Sequence, residues 1–345
     1  MPRLHMVFAF VLAIGSALAL ADPVDDFVAQ RMAADHLPGV VFAVIDPKGN
    51  VATREYGFAN LEKQEKFTVN SVHRIASLSK QMCSYVALCL EKEGKLSLDD
   101  EVLKWFPQGP ESWRGMRVRH LMGHTSGIPD PEGFDYAKEY TLDAYVALVG
   151  KDPLETAPGT KFRYNNYAYG LLGALVEKAG GSPLPVLAKK LIFDPVGMTG
   201  TGYYTKGTAY PHEVIGYRWQ DGRFVIPTRE RPQMFNGSGG VHSTLADMVK
   251  YELALRSGRL DRSILDQQWT PSFPNAGNYG FGWYVDPGAL RHTGTTFGYT
   301  SAYYRERPDG WAVILFRNSD TGSQMEMALA VLDLWKAQVS AQSKQ

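Results

Sequence analysis

The chain has 345 residues, 44% of them hydrophobic, with 36 Lys and Arg set against 36 Asp and Glu. That length and apolar content suffice for a large core of roughly two domains' size and exclude a disordered, collagenous or coiled-coil chain. The balanced charge supplies no global positive field, so neither a nucleic-acid partner nor an anionic membrane surface is expected.

The first residues read as an export signal: Arg3 in a short head, an apolar run from Met6 to Leu20, and a small-residue exit at Ala19-Leu20-Ala21. Residues 1–21 are therefore expected to be removed, with Asp22 as the mature start and a periplasmic or secreted location. The apolar run falls short of the ~20 residues a spanning helix needs, so no stable membrane span is expected. No cysteine follows it to carry a lipid.

Val24, Phe27, Val28 and Met32 then recur at helical spacing until Pro38-Gly39. Val40 to Ile45 reads as a strand, Asp46 to Asn50 as a turn, and Val51 to Phe58 as a return strand. Ser77 to Lys92 is apolar nearly all round and closes at Gly94, the pattern of a helix buried between layers. Cys83 and Cys89, the two cysteines of the chain, lie six apart on that helix and point in different directions, which makes a bridge implausible. Both are expected in the core.

Helical segments and loops follow to about residue 235: Val118 to Met122, Leu142 to Val149, Tyr167 to Lys178 and Leu184 to Leu191, broken at Pro158-Gly159 and Gly180-Gly181. After Gly237-Ser238-Gly239-Gly240 come a helix from Leu245 to Ser257, strand-like runs at Gly280 to Val285, Thr300 to Arg305 and Trp311 to Phe316, and a last helix from Ser323 to Val339. This order predicts an α+β fold. One antiparallel sheet is built from both chain ends (residues 22–76 and 236–345) and flanked by helices, with a mostly helical region inserted between them (residues 77–235).

Several chemistries are excluded by missing parts. No serine stands in a Gly-x-Ser-x-Gly elbow. No phosphate-binding Gly-x-x-x-x-Gly-Lys or dinucleotide Gly-x-Gly-x-x-Gly is present, and no cofactor is expected. His120 and His124 have the spacing of a zinc-binding pair, but position 121 is leucine where a zinc peptidase carries its glutamate, so packed histidines are preferred and no metal is expected.

What remains is Ser77-Leu78-Ser79-Lys80. Residues three apart share a helix face, so the Lys80 amine can reach the Ser77 hydroxyl while Ser79 points elsewhere. Burial favours a neutral amine able to take the serine proton, and a helix N-terminus favours developing negative charge. In Tyr164-Asn165-Asn166 a tyrosine can relay a proton and an amide two residues on can hold both the lysine and a substrate carbonyl. In His292-Thr293-Gly294 a donor, a hydroxyl and a glycine let an extended substrate lie along a strand edge. Singly, each of these motifs also fits an ordinary turn or strand end.

Together, Ser-x-x-Lys, Tyr-x-Asn and His-Thr-Gly, beginning at residues 77, 164 and 292, resemble the serine penicillin-recognising enzymes: D,D-peptidases, class C β-lactamases and related esterases and D-aminopeptidases. Pro38-Gly39-Val40, Arg119 to Gly127, Pro158-Gly159-Thr160, Gly239-Gly240-Val241, Tyr279 to Trp283 and Asn318 match the same family's habits, so the resemblance spans nearly the whole mature chain. It implies that Ser77 is acylated, that Lys80 and Tyr164 share general-base work, and that Asn166, His292, Thr293 and Gly294 bind substrate. It also implies an oxyanion hole from the backbone N–H groups of Ser77 and Thr295, and loop packing for His124 and Ser126. The substrate implied is a small molecule or peptide, a cell-wall D-alanyl peptide first, with a β-lactam or an ester as alternatives.

Two positions depart from the family pattern. Class C β-lactamases usually carry lysine where this chain has His292, so a fixed cation gives way to a group expected to be partly charged near pH 7. Asn165 stands where the family often has serine, a smaller departure because the outer residues of that motif carry its roles.

Overall fold

The structure, a computed structural model, describes residues 22–227, 232–273 and 277–343. The expected export signal lies outside the described residues. Asp22 caps the first helix, α1 (Pro23–Ala34): its carboxylate accepts the N–H of Val24 at 2.9 Å, and Pro23 sits in the first turn, where no intrahelical N–H bond is lost.

The strands run in chain order as β1 (Gly39–Ile45), β2 (Val51–Asn60), β3 (Glu65–Lys66), β4 (His73–Arg74), β5 (Gly202–Tyr203), β6 (Arg218–Gln220), β7 (Arg223–Val225), β8 (Val241–Ser243), β9 (Tyr284–Asp286), β10 (Ala289–Thr296), β11 (Tyr299–Glu306) and β12 (Ala312–Arg317). The main sheet has the order β3-β2-β1-β12-β11-β10-β9 and joins the two ends of the chain through the antiparallel pair β1 and β12, with Val40 opposite Arg317 and Ile45 opposite Ala312. This is the mixed α+β architecture expected from the element order. β4, β8 and β5 form a second, three-stranded sheet, and β6 and β7 a hairpin.

Side chains alternate across a strand, so the central strand β1 divides its residues between two layers. Val40, Phe42 and Val44 join Val24, Val28, Met327, Val331 and Leu332 beneath α1 and the C-terminal helix (Gln324–Gln342). Val41, Ala43 and Ile45 face the other way, into the larger core that holds Met82, Cys83 and Val86 of helix α2 (Ser79–Lys92). With both faces covered, β1 is buried throughout. Cys83 and Cys89 are both free thiols.

Two local readings are corrected. Of Gly280 to Val285 only Tyr284 and Val285 are strand; residues 281–283 bend, and ladder pairing with β10 begins at Tyr284. The reason is Gly282, at φ 82°, which lies against the first turn of α2 so closely that a Cβ there would come within 2.7 Å of the Gln81 Cα. Conversely β10, a full eight-residue strand, was not among the strand-like runs.

Candidate active site

Ser77 lies in a 3-10 turn (Ala76–Leu78) that runs straight into α2, and it keeps 8% of its surface exposed. Ala76, just before it, has a left-handed backbone (φ 49°), which costs a residue with a Cβ about 1–2 kcal/mol. Hydrogen bonds hold the strained turn in place. The Ser79 hydroxyl donates to the Ala76 carbonyl at 2.6 Å and accepts the Val241 N–H at 3.0 Å, so Ser79 does point away from the site.

Lys80 is fully buried. Its Nζ donates to the Asn166 Oδ1 at 2.8 Å and to the Ser238 carbonyl at 2.7 Å, and lies 3.3 Å from the Ser77 Oγ. Two tetrahedral positions are thus committed to acceptors, and a third faces Ser77: a proton there in the ammonium form, a lone pair in the amine. The Tyr164 ring lies 4.8 Å from this nitrogen. Ser77, Lys80, Tyr164 and Asn166, widely separated in the chain, are therefore brought to one point.

Tyr164 is held from behind by His124, at a ring separation of 4.2 Å. His124 has left the helix that carries His120 (Val118–Met122), adopts φ 55°, and accepts the Asn165 N–H at its Nδ1 at 3.0 Å. His120 instead accepts the Arg117 N–H at 3.0 Å and lies against Phe273, so the two histidines do not form a metal pair. Asn165 does more than fill the middle of its motif. Its Oδ1 accepts the Ala168 N–H at 2.8 Å as the N-cap of the helix Asn166–Gly180, and its Nδ2 donates to the Ile128 carbonyl at 2.8 Å. Sequence reasoning passed over that cap, although an Asn ahead of an apolar helical run is its usual signal, and also the Ser238 carbonyl, since a backbone acceptor leaves no trace in side-chain identity.

β10 forms the opposite wall. Gly294 meets the nucleophile turn: a Cβ there would come within 2.3 Å of the Ile75 carbonyl oxygen and 3.1 Å of the Ala76 Cβ. Only a glycine lets this strand lie so near Ser77. β9 pairs with β10 no further than Arg291, so from His292 onward β10 has a strand partner on the β11 side alone. Phe297 and Gly298, at φ 31° and 88°, make the two-residue turn to β11. Such a turn makes its flanking residues, Thr296 and Tyr299, a hydrogen-bonded pair, and the pairs alternate from there. Thr293 and Thr295, opposite Ala302 and Thr300, consequently direct N–H and C=O to the open edge. The Thr295 side chain is exposed and its Oγ1 receives a hydrogen bond from Gln324 at 3.2 Å, so its backbone N–H is the group available to the site.

His292 departs from expectation. It is buried at 2% exposure, its Nδ1–H donates to the Thr293 carbonyl at 2.7 Å, and its Nε2 accepts the Tyr279 hydroxyl at 2.9 Å. Burial, with the nearby Lys80 charge, holds its pKa down at about 3. The residue is a neutral, fixed imidazole rather than a partly charged group at pH 7.

The family model for Beta-lactamase matches residues 24–334. The chain belongs to that family. Among curated proteins this Beta-lactamase family member is 26% identical over 305 residues to Penicillin-binding protein 4* of Bacillus subtilis, covering 79% of this chain and 66% of that one. It is 23% identical over 310 residues to Protein flp of Staphylococcus aureus, covering 86% and 62% respectively. The chain thus spans about two thirds of the length of these relatives. Two solved structures share its fold: the octameric penicillin-binding protein homologue from Pyrococcus abyssi (24% identity, TM-score 0.77, covering 91% of this chain and 77% of that one) and FmtA from Staphylococcus aureus (22%, 0.79, 91% and 89%). Family and fold together make the chain a β-lactamase-like serine hydrolase with penicillin-binding protein homologues. Among the described residues no helix is long and apolar enough to cross a membrane.

Proposed function

We propose that the protein is an exported serine hydrolase that opens a peptide, amide or ester bond through an acyl-enzyme on Ser77, with D-alanyl or other D-amino-acid peptides as its substrates. The observation that carries this reading is the position of Lys80 Nζ, 3.3 Å from the Ser77 Oγ and held by Asn166 and Ser238, beside Tyr164 and across from the open edge of β10. Ser77 Oγ attacks the substrate carbonyl carbon while its proton passes to the Lys80 and Tyr164 pair. The carbonyl oxygen gathers charge between the N–H groups of Ser77 and Thr295. The bond to the leaving group then breaks and that group takes the proton. Water, deprotonated by the same pair, releases the acid. Export to the periplasm or the medium rests on residues 1–21.

A second reading, a β-lactamase or carboxylesterase on the same machinery, differs in the group beyond the scissile bond. A neutral His292 offers no fixed charge to a carboxylate at that end of β10, which bears equally on a β-lactam and on a C-terminal D-alanine and favours esters or peptides that continue beyond the scissile bond. The test is a fluorescent penicillin followed by intact mass on the wild type and Ser77→Ala. A single persistent adduct on wild type alone supports the peptidase reading; rapid release of hydrolysed drug supports the β-lactamase. If neither protein labels and no ester is cleaved, the hydrolase reading falls.

A further inference from the structure

The three motifs do not account for an arginine close to the nucleophile. Arg74, on β4, stands three residues before Ser77. Its guanidinium lies 3.6 Å from the centre of the Tyr204 ring and 5.3 Å from that of Tyr299, so aromatic faces hold it in place. Among the described residues it is ion-paired to Glu213 at 3.8 Å, beyond hydrogen-bond distance, and its buried Nε has no hydrogen-bond partner. A guanidinium keeps its charge under all ordinary conditions, and buried donors left unmade are costly.

A small cavity of about 20 Å³, partly open to solvent and large enough for one small polar group, lies beside it, lined by Arg74, Tyr204, Asn236, Gly239, Gly240 and Thr296 among others. Gly239 adjoins Ser238, whose carbonyl holds Lys80, and Thr296 is the last residue of β10. β10 therefore runs past Ser77 with His292 at one end, its ring 6.0 Å from that of Tyr164, and Thr296 beside Arg74 at the other. A leaving group must lie within reach of the Tyr164 and Lys80 proton donors. The opposite end of the strand accordingly receives the acyl portion of the substrate.

We infer that Arg74 and this cavity form an acyl-side subsite for a carboxylate, so that the preferred acyl donors carry a negative charge on the portion that becomes attached to Ser77. This rests on the acyl-enzyme reading above and adds the substrate class to it. The charge lies on the opposite side of the scissile bond from His292, which fits a site where the leaving-group end is neutral and the acyl end cationic. Glu213 competes with the substrate for Arg74.

The experiment compares p-nitrophenyl hydrogen adipate with p-nitrophenyl hexanoate, equal in chain length and differing in the terminal carboxylate. The expected wild-type kcat/KM ratio, adipate over hexanoate, is on the order of 10 or more, as one charge-assisted contact supplies. Arg74→Gln brings the ratio to about 1 or below, Arg74→Lys restores part of it, and Glu213→Gln raises it. A wild-type ratio near 1, or one that Arg74→Gln leaves intact while both rates fall together, overturns the subsite. If Arg74→Gln does not fold, Glu213→Gln decides, an unchanged ratio counting against it. Binding of adipic acid monoamide to Ser77→Ala, by calorimetry, separates the two proposals. Binding that Arg74→Gln weakens ~10-fold, without turnover of either ester by wild type, sinks the hydrolase reading and keeps the subsite; turnover without binding does the reverse.

Discussion

The Tyr279 hydroxyl lies 2.9 Å from the His292 Nε2, and the other ring nitrogen donates to the Thr293 carbonyl, so the imidazole is pinned between a donor and an acceptor. With its pKa at about 3, His292 does not change charge in the range where such a hydrolase works. The kcat/KM profile of His292→Gln between pH 5 and 8 should therefore be lower in amplitude but unchanged in apparent pKa. An acid limb near pH 6.5 that disappears in the variant would show instead that His292 titrates and carries charge.

The same burial acts elsewhere. His73, at about 3, and His242, at about 4, join His292 below the ordinary value of 6.5, each chiefly through desolvation. A histidine with a lowered folded pKa leaves the unfolded chain binding more protons below pH 6.5, so stability is greatest above that value and falls as pH drops toward 3 to 4. Each contributes at most about 2 kcal/mol of loss by pH 5. Thermal unfolding of Ser77→Ala should show Tm falling steadily from pH 7 to 5. A flat Tm over that window would mean that these rings take up protons in the folded state.

How much of this was legible before the fold was known varies by motif. Ser77 and Lys80 could be paired because three residues along a helix is a fixed geometric relation, although Ser77 lies in the 3-10 turn just ahead of α2. β10 was legible only as a strand edge at His292 to Gly294, because Ala289 to Thr296 lacks the apolar alternation of a half-buried strand. After Leu290 its buried face carries His292, Gly294 and Thr296 rather than apolar side chains. The charge of His292 could not be read at all. It depends on Tyr279, on the Lys80 charge and on complete burial, all set by tertiary packing. Asn165 was read as a turn residue although an Asn ahead of an apolar helical run also signals a cap; its bond to the Ile128 carbonyl, by contrast, is set by the fold and leaves no trace in the sequence.

Asn165 carries the connection between the Tyr164 turn and the loop beneath it. Asn165→Ala removes an N-cap acceptor, worth about 1 kcal/mol, and a donor to the buried Ile128 carbonyl, worth a similar amount. Urea denaturation should show a loss of about 2 kcal/mol, with Asn165→Ser recovering roughly the cap share. A change below ~0.5 kcal/mol in Asn165→Ala would mean that the His124 contact to the Asn165 N–H holds the turn unaided.

The last prediction separates backbone from side chain on β10. Thr295→Ser leaves the N–H at the open edge and should retain most of the acylation rate, since the side chain is exposed and bonded outward to Gln324. Thr295→Pro deletes that N–H while sparing the β10–β11 ladder, because residue 295 directs its donor away from β11; proline is tolerated on such an edge. Loss of one oxyanion donor should then cost ~10²–10³ in rate. Gly294→Ala acts differently: a Cβ 2.3 Å from the Ile75 carbonyl oxygen must push the strand away from the Ser77 turn, lowering both stability and acylation. Circular dichroism melts and penicillin labelling rates on the three variants give the comparison. If Thr295→Pro folds and labels at the wild-type rate, the carbonyl oxygen of the substrate does not rest against β10.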